Sequence, residues 1–492
     1  MINLKSAAEY HQRTKYTRQG RLGGGMDPKN RPNPDKVYPG AQSVALPRDL
    51  VLPRAEARPA LRGDLIRRPQ PLNLASLAGL LFMAYGFTDR VELGSEVFLY
   101  RSAPSAGALY PTEIYLAARE IDGLDDGLYH YSLTDFALTR LRQGVPPKGV
   151  PAPALILTSL FFRSAWKYLD RAFRYCLLDT GHVAENINLA GPLLGLDTMF
   201  SPAFDDDLIS NYLGLDRDRE APLGLVRLGP APEDPARDSS LTGPPASEPI
   251  ARREDVFDLV ASAARLTAAP LAQAQGMDLA WTQSAQIGLP DPDWEGFESP
   301  TLVQVLQKRR SRRNFKPRTV LRNELVRFLD LVVPPGLEDI RINIGFLTNE
   351  VQDLADGFYH FRLKDRSLER HKGGFLGPGL ALSALSQDWL GRANLTLVLT
   401  APLERLEESL GPRALRLAYM DAGRIGQRAY LAAEAFGWGC CGVGAFFDDD
   451  VHQYLNIPPG EEVLYLIPSG PIKKRTHGGR PGKRLKNLNE LI

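Results

Sequence analysis

The chain repeats itself. Residues 126–144 read DGLYHYSLTDFALTRLRQG and residues 356–374 read DGFYHFRLKDRSLERHKGG, identical at nine of 19 positions. Further on, Asp179-Thr-Gly-His and Asp421-Ala-Gly-Arg each open a stretch, ending in AFDDDLISNYLGL (203–215) and AFFDDDVHQYLNI (445–457). Matched blocks in one order mean a tandem duplication of a unit near 180 residues, too long for a solenoid repeat. The 492 residues therefore hold one domain copied once. The organisation reads as an N-terminal arm (1–48), a first domain (49–230), a linker with a short amphipathic helix (231–298), a second domain (299–475) and a basic tail (476–492). Residues 72–85 and 179–195 read as buried helices, and 113–118, 154–162 and 462–468 as short apolar strands. Strands and helices do not alternate regularly, so the expected class is α+β.

Charge narrows the function less than the repeat narrows the fold. Lys and Arg number 59 and Asp and Glu 58, a formal net charge of +1, which gives no global case for nucleic acid or a membrane surface. Three cysteines, Cys176, Cys440 and Cys441, cannot make a disulfide framework, and the chain reads as reduced and cytoplasmic. No Cys/His spacing reads as a zinc site. No apolar run reaches the ~18 residues of a membrane span, and residues 1–15 carry no apolar signal core. Local charge is uneven. Residues 308–323 (KRRSRRNFKPRTVLRN) hold eight Lys or Arg and no acid, directly after a helical pattern and around Pro317. That is a place for an anion, phosphate above all.

Four local patterns carry chemistry. Residues 100–115 (YRSAPSAGALYPTEIY) place small residues where a backbone can approach a ligand and present N–H groups. Ala165-Trp-Lys-Tyr168 sets a Lys–Tyr pair before an Arg-rich turn. The second copy has RRSRRNF (309–315) and Gly437-Trp-Gly-Cys-Cys-Gly-Val-Gly-Ala-Phe446. Taken together with the arm, Tyr10-His-Gln-Arg-Thr-Lys15 through Asn33-Pro-Asp-Lys-Val-Tyr-Pro39, they resemble the nitroreductase superfamily. Within it they look like the SagB-type dehydrogenases, FMN-dependent azoline oxidases of ribosomal peptide biosynthesis.

The resemblance implies an α+β sandwich that works as an intertwined dimer with FMN in the interface. It implies that Arg309, Ser311 and Arg313 hold the FMN phosphate, assisted by Lys473 or Lys474. It puts Gly442, Val443 and Gly444 beside the isoalloxazine edge, and Pro104, Ser105, Ala106 and Gly107 near its N5. Lys167 or Tyr168 is the implied general base. A lysine base needs a lowered pKa, and Arg163, Arg171 and Arg174 are the cations nearest in sequence.

The copies have lost different parts. Where the first should carry a phosphate element it has RGDLIRRPQP, with only Arg67-Arg68 surviving, and its late loop (199–204, MFSPAF) lacks the Gly pair. The second has IRINIGFLTNEVQ (340–352) in place of the Pro-Ser block and TAPLERL (400–406) in place of the Lys–Tyr pair. Complementary losses predict one FMN site per chain, built from both copies of an intramolecular pseudo-dimer that is monomeric. His182 is expected to be structural and Cys440-Cys441 a packing pair. The expected activity is oxidation of a peptide thiazoline or oxazoline to the azole, with a peptide substrate and a cyclodehydratase or carrier protein as partners. The competing expectations are an NAD(P)H-dependent nitro- or quinone reductase and a non-catalytic peptide-binding module.

Overall fold

The computed structural model describes residues 2–20, 26–65, 69–93, 96–229, 243–272, 281, 286–337 and 340–473. Among these are two seven-stranded sheets of the same topology. The first runs, edge to edge, through Ser43–Ala45, Ala137–Gln143, Gly127–Ser132, Thr112–Ala118, Ala154–Leu160, Glu220–Leu228 and Thr198–Ser201. The second runs through Gln286–Gly288, Ser367–Gly373, Gly357–Arg362, Asn343–Thr348, Leu395–Ala401, Glu462–Gly470 and Gly439–Cys440. Neighbouring strands are antiparallel throughout. Central strands such as Thr112–Ala118 and Leu395–Ala401 are buried along their whole length, as strands covered on both faces must be.

Between the sheets lie two long helices, Ala172–Leu193 and Ala414–Ala435. Both are rich in Ala and Leu, strong helix formers. They cross at Gly181 and Gly423, equivalent residues of the two Asp-x-Gly blocks. A methyl on either would run into backbone of the other helix: Gly181 onto the Met420 carbonyl, Gly423 onto the Leu178 carbonyl. The repeated glycines therefore let two helix backbones touch. One continuous apolar core joins the copies, with Leu157 and Tyr129 from the first sheet, Leu399 and Tyr359 from the second, and Leu177, Val183, Ala418 and Ile425 from the helices.

The helix N-termini exchange charge across the seam. Arg171 and Arg413 are the N-cap residues, where a cation opposes the helix dipole. Each is answered by a buried aspartate at the start of a short helix of the opposite copy. Asp448 accepts from Arg171 at 2.8 Å and Arg174 at 2.7 Å. Asp206 accepts from Arg413 and, at 2.6 Å, from Arg416. The two arginines hold the Asp448 carboxyl well below the usual carboxylate range, against its burial. Equivalent residues contacting each other both ways is the signature of a two-fold interface, here formed within one chain.

The equivalence reaches further back than the 180-residue unit read from sequence. Helices Ala7–Arg13 and Asp258–Leu266 end at Thr14 and Thr267. These hydroxyls accept from Arg174 and Arg416 respectively, each at 2.8 Å. The edge strand of the first sheet comes from within the arm, and that of the second from within the linker.

Candidate functional site

The structure brings most of the singled-out residues to one place on the seam. The loop at 104–107 is tied to the long helix of its own copy. Ser105 Oγ donates to Asp179 at 2.6 Å, Ala106 N–H donates to the same carboxylate at 3.2 Å, and Tyr110 N–H donates to Ser105 Oγ at 2.8 Å. Asp179 is buried, and burial pushes its carboxyl up to about 7 despite the two donors. Gly107 sits at φ +65°, in the left-handed region that glycine enters without strain. A Cβ there would stand 2.9 Å from the Tyr168 hydroxyl and 3.1 Å from Lys167 Nζ. The small-residue loop and the Lys–Tyr pair thus form one surface.

Lys167 and Tyr168 end the helix Phe161–Tyr168, which stops at Leu169 with φ +50°. Tyr168 packs on Tyr175, ring centroids 4.2 Å apart. Tyr175 in turn touches the second copy: a Cβ on Gly444 would lie 2.5 Å from its ring. Burial raises the Tyr168 phenol above its ordinary value. The Lys167 ammonium is pushed down by partial burial and then by the positive charge of Arg313. The cation that adds to the effect of burial is therefore Arg313 of the second copy, not Arg163, Arg171 or Arg174. Arg171 and Arg174 are bound to Asp448, and Arg163 is bound to Glu113 and to the carbonyls of Asn33 and Tyr110.

The Arg-rich element divides by partner. Arg310 is paired with Asp89 at 3.1 Å and Arg312 with Glu434 at 2.5 Å. Arg309 and Arg313 have no acidic partner among the described residues. Arg309 is buried and donates through Nε and one Nη to the carbonyls of Ser102 and Arg101, at 2.8 and 2.9 Å. It fastens the second copy's element to the first copy's strand, leaving its remaining nitrogen for an anion. Arg313 lies over Trp389 at 5.1 Å and donates to Cys441 Sγ at 3.4 Å. Ser311 Oγ is 2.9 Å from the Tyr430 hydroxyl, which also accepts from Gly442 N–H at 2.7 Å. Lys473 is held beside this element, its N–H on the Asn314 carbonyl at 3.0 Å and its carbonyl on the Asn314 amide at 2.9 Å. Lys474 and the Arg67-Arg68 remnant lie outside the described residues.

The glycine loop leaves no room for side chains. A Cβ on Gly442 would collide with the Tyr465 hydroxyl. Val443 pairs with Leu466 and packs in a small apolar cluster. His182 is buried against Gln427 at 3.0 Å and Tyr465 at 3.2 Å, and burial lowers it to about 3, so it is neutral. Cys440 and Cys441 are buried free thiols. The fit to a flavin mononucleotide is good in kind: cations without acidic partners and a serine for a phosphate, and close-backed glycines for a flat ring.

The two-fold mate of this place is built differently. Arg424 stands where the first helix has His182. It pairs with Glu185 at 3.0 Å and Asp421 at 3.1 Å and lies over Phe200 at 5.7 Å. Glu185 also takes Arg428 at 2.7 Å. Among the described residues, ion pairs and an aromatic ring occupy this position. Asp179, Tyr175, Tyr430 and Tyr465 were not singled out from sequence. The one available signal was Asp179 heading a repeated Asp-x-Gly block; Asp421 plays the same part, accepting from Arg341 N–H at 3.0 Å.

Two copies of an α+β sandwich are joined through paired helices, with cationic and phenolic groups at the seam. The chain belongs to the nitroreductase family, whose pattern matches residues 68–230 and 346–470, one stretch in each copy. It is similar to MJ1384, a nitroreductase homologue of Methanocaldococcus jannaschii, with 36% identity over 173 residues, 32% of this chain and 81% of that protein. It is also similar to the trifolitoxin-processing protein TfxB of Rhizobium leguminosarum bv. trifolii, with 31% identity over 166 residues, 30% of this chain and 44% of that one. A crystal structure of a nitroreductase homologue from Anabaena variabilis superposes with a TM-score of 0.76 at 26% identity, covering 96% of this chain and 100% of its own. No helix among the described residues is long and apolar enough to cross a membrane.

Proposed function

We propose that the protein is a monomeric FMN-dependent dehydrogenase that oxidises peptide thiazoline or oxazoline rings to azoles at a single site built from both copies. The observation that carries this reading is geometric: Lys167 and Tyr168 close on the Gly107 turn of one copy, and Tyr168 packs on Tyr175, which abuts Gly444 of the other. The proton acceptor of one copy and the glycine loop of the other then belong to one site. The likeness to a trifolitoxin-processing protein supports a peptide natural product as the substrate class.

FMN, when bound, supplies a two-electron acceptor. Ser311, Arg313, Lys473 and the remaining nitrogen of Arg309 would hold its phosphate. Gly442, Val443 and Gly444 of one copy and Pro104, Ser105, Ala106 and Gly107 of the other would flank its ring. Lys167 Nζ takes the proton that leaves the substrate carbon. A lowered lysine pKa raises the fraction able to do so near neutral pH. Tyr168, kept protonated by burial, orients Lys167 and donates to the substrate. A cyclodehydratase or carrier protein would deliver the azoline.

The test combines flavin stoichiometry with product mass. One FMN per monomeric chain and a 2 Da loss per ring from an azoline peptide are expected. Lys167→Ala should keep the flavin and lose turnover by about 100-fold or more. Two FMN per chain would end the one-site reading. Steady NAD(P)H oxidation with a nitroarene, and no change in azoline peptides, would favour a reductase.

A further inference from the structure

The repeated hairpins differ at two positions that face the same way. His130 and His360 are equivalent, but Thr139 and Leu141 of the first copy are Glu369 and His371 in the second. In the first copy His130 Nε2 and Glu113 share a hydrogen bond of 2.6 Å. In the second, His360 lies directly across from Glu369 in the strand pair. His371 is the unpaired residue of a bulge in this pairing, and its ring reaches the Glu369 carboxylate.

Their ligand-capable atoms converge. Glu369 Oε2 is 3.8 Å from His360 Nδ1 and 4.0 Å from His371 Nε2, and the set lies within 4.8 Å. Glu369 is 0% and His360 3% exposed. Both Glu369 oxygens, His360 Nδ1 and His371 Nε2 are buried without a hydrogen-bond partner. Buried polar groups left in this state are costly and ask for an explanation. The hairpin's cations do not supply one. Lys372 donates to the Tyr454 carbonyl, Arg370 to the Asp356 carbonyl and Arg362 to Asp365.

The surroundings prepare the two imidazoles. His360 Nε2 is 3.3 Å from Asn343 Oδ1, an acceptor that puts the ring proton on Nε2 and leaves the Nδ1 lone pair free. Trp281 stacks on His360 at 4.4 Å and meets His371 edge-on at 4.7 Å.

We propose that His360 Nδ1, the Glu369 carboxylate and His371 Nε2 bind one first-row divalent metal ion of the zinc type. Two imidazoles and one carboxylate suit zinc and its neighbours and not calcium or magnesium. Bonds of about 2.0–2.2 Å place tetrahedral ligand atoms about 3.4 Å apart. The present spacing closes to that mainly by movement of His371, the least buried of the three side chains. The site lies with Phe358 in the small cluster around Trp281, whereas Tyr359 and Phe361 belong to the main core. It is therefore on the sheet face away from the seam and acts as a structural clasp.

The test uses chelator-stripped full-length protein titrated with zinc, with elemental analysis and zinc-edge X-ray absorption on the reloaded chain. One zinc per chain, nitrogen and oxygen ligands at about 2.0–2.1 Å, and a rise in Tm on loading are expected. Glu369→Gln and His371→Ala should each weaken binding by about 100-fold or more, with the flavin-to-chain ratio unchanged. His371 is partly exposed, so its variant keeps the fold. Folded wild-type protein that takes up no zinc overturns the proposal, as does undiminished binding by His371→Ala.

Discussion

Replacing Gly423 by alanine sets two magnitudes against each other. In an ordinary helix the change is stabilising by about 1 kcal/mol, because alanine is the better helix former. Here the new methyl would run into the Leu178 carbonyl and stand 3.1 Å from the Gly181 Cα. Both obstacles are backbone, so no side chain can turn aside. The helices would have to separate by about an ångström, and overpacking of this kind costs about 3 kcal/mol. The net expectation is a loss of about 2 kcal/mol, seen as a Tm several degrees lower in differential scanning calorimetry. Gly181→Ala should do the same through the Met420 carbonyl. The double variant should lose less than the sum, since one separation relieves both clashes. Because the candidate site straddles this crossing, flavin retention should fall with Tm. A Gly423→Ala protein more stable than wild type would refute the reasoning.

Other expectations follow from the ion pairs and the site. Asp448→Ala leaves Arg171 and Arg174 buried without their acid and should cost about 3–5 kcal/mol, measurable by denaturant titration; loss below 1 kcal/mol would contradict it. Arg313→Gln removes a cation that lowers the Lys167 pKa. The rising limb of the pH–rate profile should then move to higher pH, with weaker flavin retention. Asp179 titrates near 7 in the folded chain, above its unfolded value of ~3.9. Its contribution to stability is therefore full below pH 4 and lost as pH rises through 7. Asp179→Asn should flatten part of the fall in Tm across that window, and an unchanged slope would count against it.

The repeat was legible because its blocks carry constraints that admit few residues. Gly181 and Gly423 are fixed by a backbone contact, and Asp206 and Asp448 by arginine pairs from across the seam. The matching of the arm with the linker was not legible. Ala7–Arg13 and Asp258–Leu266 share little beyond a terminal threonine, because an amphipathic helix accepts many apolar residues so long as the pattern holds. The site's tyrosines were hidden for a related reason. Tyr175, Tyr430 and Tyr465 lie in apolar helices and strands where a core aromatic reads the same. Which arginine of 309–313 is open to an anion depended on Asp89 and Glu434, remote in sequence and adjacent only after folding. The His360, Glu369 and His371 cluster escaped linear spacing rules because its ligands face each other across a hairpin.

The reciprocal arginine–aspartate clasps have a consequence for how the protein behaves when scarce. A site assembled from separate subunits disappears on dilution, since its formation is governed by mass action. Here both halves of the seam travel on one polypeptide, so the effective concentration of one for the other is set by chain connectivity. The chain can also change one face without imposing the same change on its mate. Arg424 opposite His182 is such a change: a substitution that a symmetric pair would have had to make twice.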